Sequence, residues 1–298
     1  MNAIATWTKT ALCAAYKYSG AVRVQEALRR RHGNSFAAVL LFHRVTDAIP
    51  EDGLTVGTSR FRRICRMLWL SFRVVPLAEV VRLARSGQTI PARTVAVTFD
   101  DCYRDNLDAA RTLSEFGHPA TFFIPTAFVG TDRVLAWDRA LPRMPNLTWD
   151  DVRAMVRMGF DVGSHTVTHA DLGAVPAEQA QHELTESKRI LEERVERPIR
   201  WFAYPYGQRA NLRPEYIPLI QEVGYEASFS GYGGFVAAGR TDLVLPRESV
   251  PHFSSVLNLE LHLTGCLDWM YSLKRRCAKA RQDPELRGGP LLASSCRN

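Results

Sequence analysis

The sequence predicts one α/β domain of irregular barrel type, with six or seven strands and its chemistry at their C-terminal ends. Three observations lead there. Strand-like and helix-like segments alternate from about residue 36 to 274 with no linker and no internal repeat. Within that run, Thr94–Phe99 (TVAVTF), a helix stopped by Gly117 and the strand Ala120–Ile124 (ATFFI) have the spacing of a βαβ unit with parallel strands. Three clusters of polar or turn-forming residues directly follow predicted strands.

The elements follow in order. Residues 1–35 read as a basic, partly amphipathic helical extension, 36–274 as the barrel domain and 275–298 as a basic tail, frayed from about residue 288. Ala37–Phe42 is a compact apolar strand that stops at His43-Arg44-Val45. Gly57–Ser71 has helical spacing, with Phe61, Ile64 and Leu68 on one side. A short strand (Phe72–Val75) and a short helix (Leu77–Arg85) precede TVAVTF. Leu107–Phe116 and Asp150–Met158 are helices closed by glycines, and Phe160–Gly163 is a strand that delivers His165. Pro176 opens the long helix Ala177–Val195; Ile199–Ala203 is a strand ending in the turn Tyr204-Pro205-Tyr206-Gly207. Pro214–Val223 is a helix, Glu226–Phe229 a strand, Gly231–Gly239 a flexible loop, and Ser255–Lys274 a final helix after Pro246-Arg247.

Composition narrows the function classes. With 298 residues, 46% hydrophobic and 23% charged, the chain is globular, not disordered, collagenous or a disulfide miniprotein. Its net charge of +7 sits at the ends: six basic residues against Glu26 in 1–31, and seven against Asp283 and Glu285 in 274–298. The body is mildly acidic and lacks basic-aromatic interleaving, so nucleic-acid binding is not expected. Basic fringes fit solubility or weak attraction to an anionic membrane. Six scattered cysteines with no CxxC pair exclude a thiolate zinc knuckle and a thioredoxin-like centre. The opening MNAIATWTKTALCAAYKYSGAV is interrupted by Lys9 and Lys17 and predicts neither a secretory signal nor a spanning helix. The expected location is the cytoplasm, with attachment at the membrane face or to polysaccharide synthesis machinery left open, as is the oligomeric state.

The chemistry lies in the three clusters. Asp100 and Asp101 end an apolar strand, where two adjacent carboxylates are expensive to bury. Strand alternation sends the two side chains in different directions, one to a cation and one toward substrate or water. Ser164-His165-Thr166-Val167-Thr168-His169 places two histidines four apart, a spacing suited to one metal ion. His32, His118, His182 and His262 have no such context and read as structural or surface groups. An aspartate with two histidines leaves coordination positions open for water and substrate, unlike a closed structural zinc site. The same set can hold non-heme Fe(II), so the ligands alone do not fix the reaction. A second carboxylate beside the ligand favours hydrolysis.

Together, Thr98-Phe99-Asp100-Asp101, Ser164–His169 and Phe202-Ala203-Tyr204-Pro205-Tyr206-Gly207 resemble the first three motifs of the polysaccharide deacetylase family, also called NodB-homology or carbohydrate esterase 4. The resemblance covers roughly residues 36–250 and implies a distorted (β/α)7 barrel. It also implies metal-dependent removal of N-acetyl groups from N-acetylglucosamine units of a glycan, commonly with Zn²⁺, with Co²⁺, Mn²⁺ or Ni²⁺ as substitutes. On this resemblance Asp101, His165 and His169 are the metal ligands and Asp100 the general base. Tyr204, Pro205, Tyr206 and Gly207 line the acetyl pocket, with the Tyr206 N–H toward the oxyanion.

The chain also departs from the family pattern. Ala203 stands where many members have an arginine that orients the base, and Arg247 is the candidate replacement. The usual C-terminal motif with the acid histidine is not visible. Members with a FAYPYG-type third motif, exopolysaccharide deacetylases among them, often carry a YHRV-like segment early. Leu41-Phe42-His43-Arg44-Val45 therefore nominates His43 as general acid, with His252 as fallback. Cys102 replaces the usual glycine after the paired aspartates and is expected to be no ligand. Tyr103, Trp137, Tyr204 and Tyr206 are candidates to stack on sugar faces. Two other functions fit the same residues: a C–N hydrolase for a small amide or glycolipid, and a catalytically degenerate carbohydrate-binding or scaffold protein.

Overall fold

Along the chain the strands are β1 (Phe36–Phe42), β2 (Arg44–Val45), β3 (Thr55–Val56), β4 (Arg73–Val74), β5 (Thr94–Phe99), β6 (Thr121–Ile124), β7 (Asp161–Ser164), β8 (Trp201–Ala203), β9 (Ala227–Phe229), β10 (Val236–Ala237), β11 (Val244–Leu245) and β12 (Glu248–Ser249). This computed structural model describes residues 15–16, 18–31, 35–240 and 244–265. Seven of the strands run parallel around the barrel in the order β1, β5, β6, β7, β8, β9, β11. The continuous apolar runs of β1 and β5 are what parallel strands covered on both faces require, and almost every residue in them is buried.

The barrel is closed by a short crossing. Val244 and Leu245 pair with Ser228 and Phe229 of β9, and two residues later Glu248 and Ser249 pair with Leu40 and Leu41 of β1. Pro246-Arg247 is therefore carried from one edge of the sheet to the other. The result is the distorted (β/α)7 barrel that the motifs implied, with helices Thr58–Ser71, Asn106–Glu115, Trp149–Arg157 and Ala177–Val195 between successive strands. The helix at Trp149 starts where a capping box forms: Thr148 Oγ1 accepts from the Asp151 N–H, and Asp151 accepts from the Thr148 N–H.

Alternation sorts the side chains into two layers. Ala37 and Val39, Ala96, Phe123, Trp201 and Ala203, Ala227 and Phe229 form one buried cluster with Val80, Val81, Leu83 and Ala84 of the helix Leu77–Ser86. On the other layer Phe42, Phe99 and Phe122 stack at 5.1 and 4.9 Å, and Phe61 of the helix Thr58–Ser71 meets Phe42 and Phe99 edge-on.

Four details differ from the sequence reading. The loop Gly231–Gly239 contains β10, antiparallel to β1, with Phe235 stacked on Phe36 at 4.0 Å. Two residues flanked by glycines give too short a pattern to read. Arg44–Val45 and Thr55–Val56 form a separate two-stranded ladder. The helix expected over Pro214–Val223 is a 3₁₀ turn, Pro214–Tyr216, followed by a short helix, Ile217–Glu222. β12 was not anticipated at all. Of the N-terminal extension the helix Ala21–Arg31 is described. Of the final helix Val256–Leu263 is observed, followed by a turn at Thr264 and Gly265; residues 266–274 and the tail 275–298 lie outside the described residues.

Contacts group residues 29–256 as one unit and the described residues before 29 and after 256 as another. In the second, Val22 and Leu261 are buried with Tyr16 and Leu257 against them. No helix among the described residues is long and apolar enough to cross a membrane.

Gly163 in β7 is a packing requirement. A Cβ there would stand 2.5 Å from two ring atoms of Phe123 and 3.1 Å from the Trp201 carbonyl oxygen. Gly163→Ala should therefore destabilise the chain by about 1–3 kcal/mol, the usual cost of overfilling a packed core. Denaturant titration checks this; an unchanged midpoint would contradict it.

Candidate active site

Asp100 and Asp101 follow β5 and both line one cavity of about 250 Å³ at the C-terminal ends of the strands. They share that mouth but meet different partners there, Arg247 at Asp100 and the two histidines at Asp101. The strand ends at Phe99, and Asp101 and Cys102 take left-handed backbone conformations, φ 78° and 65°, which return the second carboxylate to the same mouth. For non-glycine residues that conformation costs roughly 1–2 kcal/mol each. The Leu147 N–H donating to the Cys102 carbonyl at 2.9 Å helps hold it.

The SHTVTH segment follows β7 and brings its histidines to Asp101. His165 Nε2 and His169 Nε2 stand 3.4 and 3.2 Å from Asp101 Oδ1. One ligand atom from each of the three residues lies within 4.8 Å of the others. Ligands about 2.0–2.2 Å from a tetrahedral cation lie about 3.3–3.6 Å apart, so the spacing fits a divalent ion. The rest of the chemistry fits too. Asp101 is buried, and neither of its oxygens has a hydrogen-bond partner. His165 Nδ1 sits 2.8 Å from the Ala203 carbonyl oxygen, which fixes it as the N–H and leaves Nε2 as the free lone pair. Burial opposes ionisation of Asp101, yet the two imidazoles and His43 hold its carboxyl well below the usual range.

Asp100 has a different environment. Arg247 grips it with two parallel bonds, Nη1 to Oδ1 at 2.7 Å and Nη2 to Oδ2 at 2.6 Å. Arg247 is itself completely buried. Its Nε donates to the Ser230 carbonyl at 2.8 Å, its Nη1 reaches Thr98 Oγ1 at 3.3 Å, and its guanidinium lies 5.2 Å from the Phe123 ring centroid. Burial pushes the Asp100 carboxyl upward, but Arg247 above all, with His165, keeps it below the ordinary value. For His165 burial disfavours the charged form, and Asp100, Asp101 and the Ala203 carbonyl outweigh it.

His43 directly follows β1, and its Nε2 is 4.0 Å from Asp101 Oδ2. Its Nδ1 is buried without a hydrogen bond. Burial lowers its pKa, against the pull of Asp101 and Asp100. Asn106 Nδ2 donates to the His43 carbonyl at 2.7 Å and pins the segment. His252 also lines the cavity but is exposed.

Of the turn residues, Tyr204, Tyr206 and Gly207 line the cavity, whereas Pro205 does not. Tyr206 is left-handed at φ 61° and 49% exposed. Gly207 is required: a Cβ would come within 2.4 Å of the Gly231 nitrogen. The rings of Trp137 and Tyr206 each stand 5.1 Å from that of His169 and 5.6 Å from each other, forming an aromatic wall. Tyr103 is not part of it. It is core, packed with Phe128 and Leu135, and its hydroxyl meets Asp138, which also pairs with the buried Arg44. Cys102 is buried and outside the ligand group, its thiol pushed up to about 12 by burial, so it stays neutral. His118 Nε2 contacts the Cys65 carbonyl oxygen at 2.9 Å, a structural place.

Sequence reasoning missed Glu183, which is 2% exposed and contacts the histidine segment. Its one signal was an acid in helical register with Ala180, Leu184 and Leu191, on the face that had to be apolar. Thr98 stood in the first motif without a role, and Ser230 gave no signal; both are further partners of Arg247.

Residues 87–228 match the family model described as polysaccharide deacetylase. Poly-beta-1,6-N-acetyl-D-glucosamine N-deacetylase of Escherichia coli (strain K12) is 24% identical over 247 residues, covering 71% of this chain and 36% of that protein. Chitooligosaccharide deacetylase of Bradyrhizobium sp. (strain ANU 289) is 33% identical over 139 residues, 45% of this chain and 54% of that protein. The chain thus spans less than two thirds of either curated relative. The solved structure of IcaB from Ammonifex degensii superposes with a TM-score of 0.64 at 21% identity, covering 77% of this chain and 97% of that one. Motifs, fold and matched model point the same way: residues 87–228, nearly half of this chain, match the polysaccharide deacetylase family, known also as NodB-homology or carbohydrate esterase 4.

Proposed function

We propose that the chain is a metal-dependent N-deacetylase that hydrolyses the acetamido group of N-acetylglucosamine units in a glycan, in exopolysaccharide metabolism. The carrying observation is the pair of buried aspartates with opposite surroundings: Asp101 bare of hydrogen bonds among two imidazoles, and Asp100 gripped by Arg247. The names of the two curated relatives support an N-acetylated sugar polymer or oligomer as substrate.

Asp101, His165 and His169 would hold the cation, Zn²⁺ or a substitute such as Co²⁺, Mn²⁺ or Ni²⁺. When bound, a divalent ion there polarises the amide carbonyl and acidifies water. Asp100, kept ionised by Arg247, takes the proton from the attacking water. The amine leaves only once protonated, and His43, whose Nε2 stands 4.0 Å from Asp101 Oδ2, is the donor at the leaving nitrogen. The Tyr206 N–H and the turn Tyr204–Gly207 receive the developing oxyanion and the methyl group. Trp137 and Tyr206 offer ring faces to the sugar.

Acetate release from β-1,6- and β-1,4-linked N-acetylglucosamine oligomers tests the reading. A chelator should abolish it and Zn²⁺ or Co²⁺ restore it, and Asp100→Asn should lower kcat by about 10²–10⁴-fold with metal still bound. No release from any oligomer by the metal-loaded chain would defeat the proposal.

The acid has its own test. His43→Ala should cost a similar factor of about 10²–10⁴ in kcat, and His252→Ala only a few-fold. The reverse order would move the acid to His252.

Arg247→Met leaves Asp100 buried and unpaired, at a cost of about 3–5 kcal/mol near neutrality. Because the folded pKa of Asp100 is depressed, its stabilisation is complete above the unfolded value of about 3.9 and is lost as the pH falls through the folded value. The gap in denaturant midpoint between wild type and variant should therefore narrow in acid, and the acid limb of activity in the variant should move to higher pH. A gap independent of pH would show that Arg247 does not act through Asp100.

A further inference from the structure

The segment between the two histidines has an improbable backbone. Thr166 and His169 are both left-handed, at φ 66° and 60°, and neither is glycine. Between them, the N–H groups of Val167 and Thr168 donate to a single oxygen, Glu183 Oε2, at 2.7 and 2.9 Å. The Thr168 hydroxyl donates to the other, Oε1, at 2.5 Å. The carbonyls on the same stretch are taken from the opposite side, where Thr126 and Ala127 N–H groups donate to Thr166 and Val167 at 3.2 and 2.9 Å. Thr166 Oγ1 accepts from the Ala170 N–H at 3.1 Å. Glu183 belongs to the helix Ala177–Val195 and is buried with its carboxylate committed to this loop.

We propose that Glu183 is the positioning residue of the metal centre: its carboxylate holds the His165–His169 loop in ligating shape before any cation arrives, so a group that touches no ligand atom sets part of the metal affinity. The inference rests on reading Asp101, His165 and His169 as the metal site. Removing the carboxylate takes from the half-buried Val167 N–H and its neighbour on Thr168 the acceptor that holds both in one place. The loop would then turn to find another acceptor, and His169, joined directly to Thr168, would swing relative to His165. His165 itself is anchored independently through Ala203, so the predicted damage is a loss of mutual geometry and not of a ligand.

The test is Zn²⁺ affinity of the full chain by competition with a chromophoric chelator, together with the Co²⁺ absorption spectrum. Glu183→Ala should bind Zn²⁺ about 10–100-fold more weakly, the usual effect of losing an outer partner of a metal site, and should shift the Co²⁺ bands. Glu183→Gln keeps one oxygen to accept from Val167 and Thr168 but loses the charge that strengthens those bonds, so it should lose about 3–10-fold. If Glu183→Ala does not fold, Glu183→Gln carries the test alone. Ser187→Ala is the control: one turn further along the same helix face, its hydroxyl contacts Ser164 at 2.6 Å and no loop N–H, and its affinity should stay near wild type. Wild-type affinity in a folded Glu183 variant, or an equal loss in Ser187→Ala, would overturn the inference alone. A wild-type chain that binds no divalent ion would overturn the metal reading and this inference with it.

Discussion

Two buried carboxylates side by side at the barrel mouth are the constraint that this fold has to satisfy. A carboxylate moved out of water without compensation shifts its pKa and takes up a proton. Here both are held ionised, and by unlike means. Asp100 receives the whole fork of a buried guanidinium. Asp101 has only imidazole edges near it, at 3.4 and 3.2 Å, and its oxygens stay without a hydrogen bond. One is thus saturated by the protein and the other left for an ion, and the division of labour follows from the partners.

Each partner is delivered by a different part of the chain, which explains the barrel's irregularities. The left-handed residues after β5 bring Asp101 back to the mouth. The Ala203 carbonyl at the end of β8 orients His165. The crossing between β11 and β12 closes the sheet and places Arg247 against Asp100 in the same stroke. The local backbone strain and the short last strands sit where the chemistry sits.

The strands and most helices were legible because apolar runs and glycine stops are local signals. So were Asp100, Asp101, His165 and His169, whose types and spacings have few other uses. Even Arg247 could be nominated, through the missing arginine at Ala203. What stayed hidden depended on contacts between distant residues. Alternation suggested different directions for Asp100 and Asp101, but nothing local announced the φ of 78° with which the second reaches the shared mouth. Tyr103 had the look of a sugar-stacking ring until Asp138 and Arg44 claimed its surroundings. Glu183 read as one more acid on a charged helix, since its three donors lie 15 and 16 residues upstream.

The place of Arg247 in the chain has a consequence for biogenesis. During synthesis Asp100 and the histidines leave the ribosome well before residue 247, so the Asp100 carboxylate has no counter-charge until the crossing that closes the sheet has been made. The last strand pairing to be made is thus also the one that completes the ion pair, and a chain cut short of that point would leave both the sheet open and Asp100 without its guanidinium.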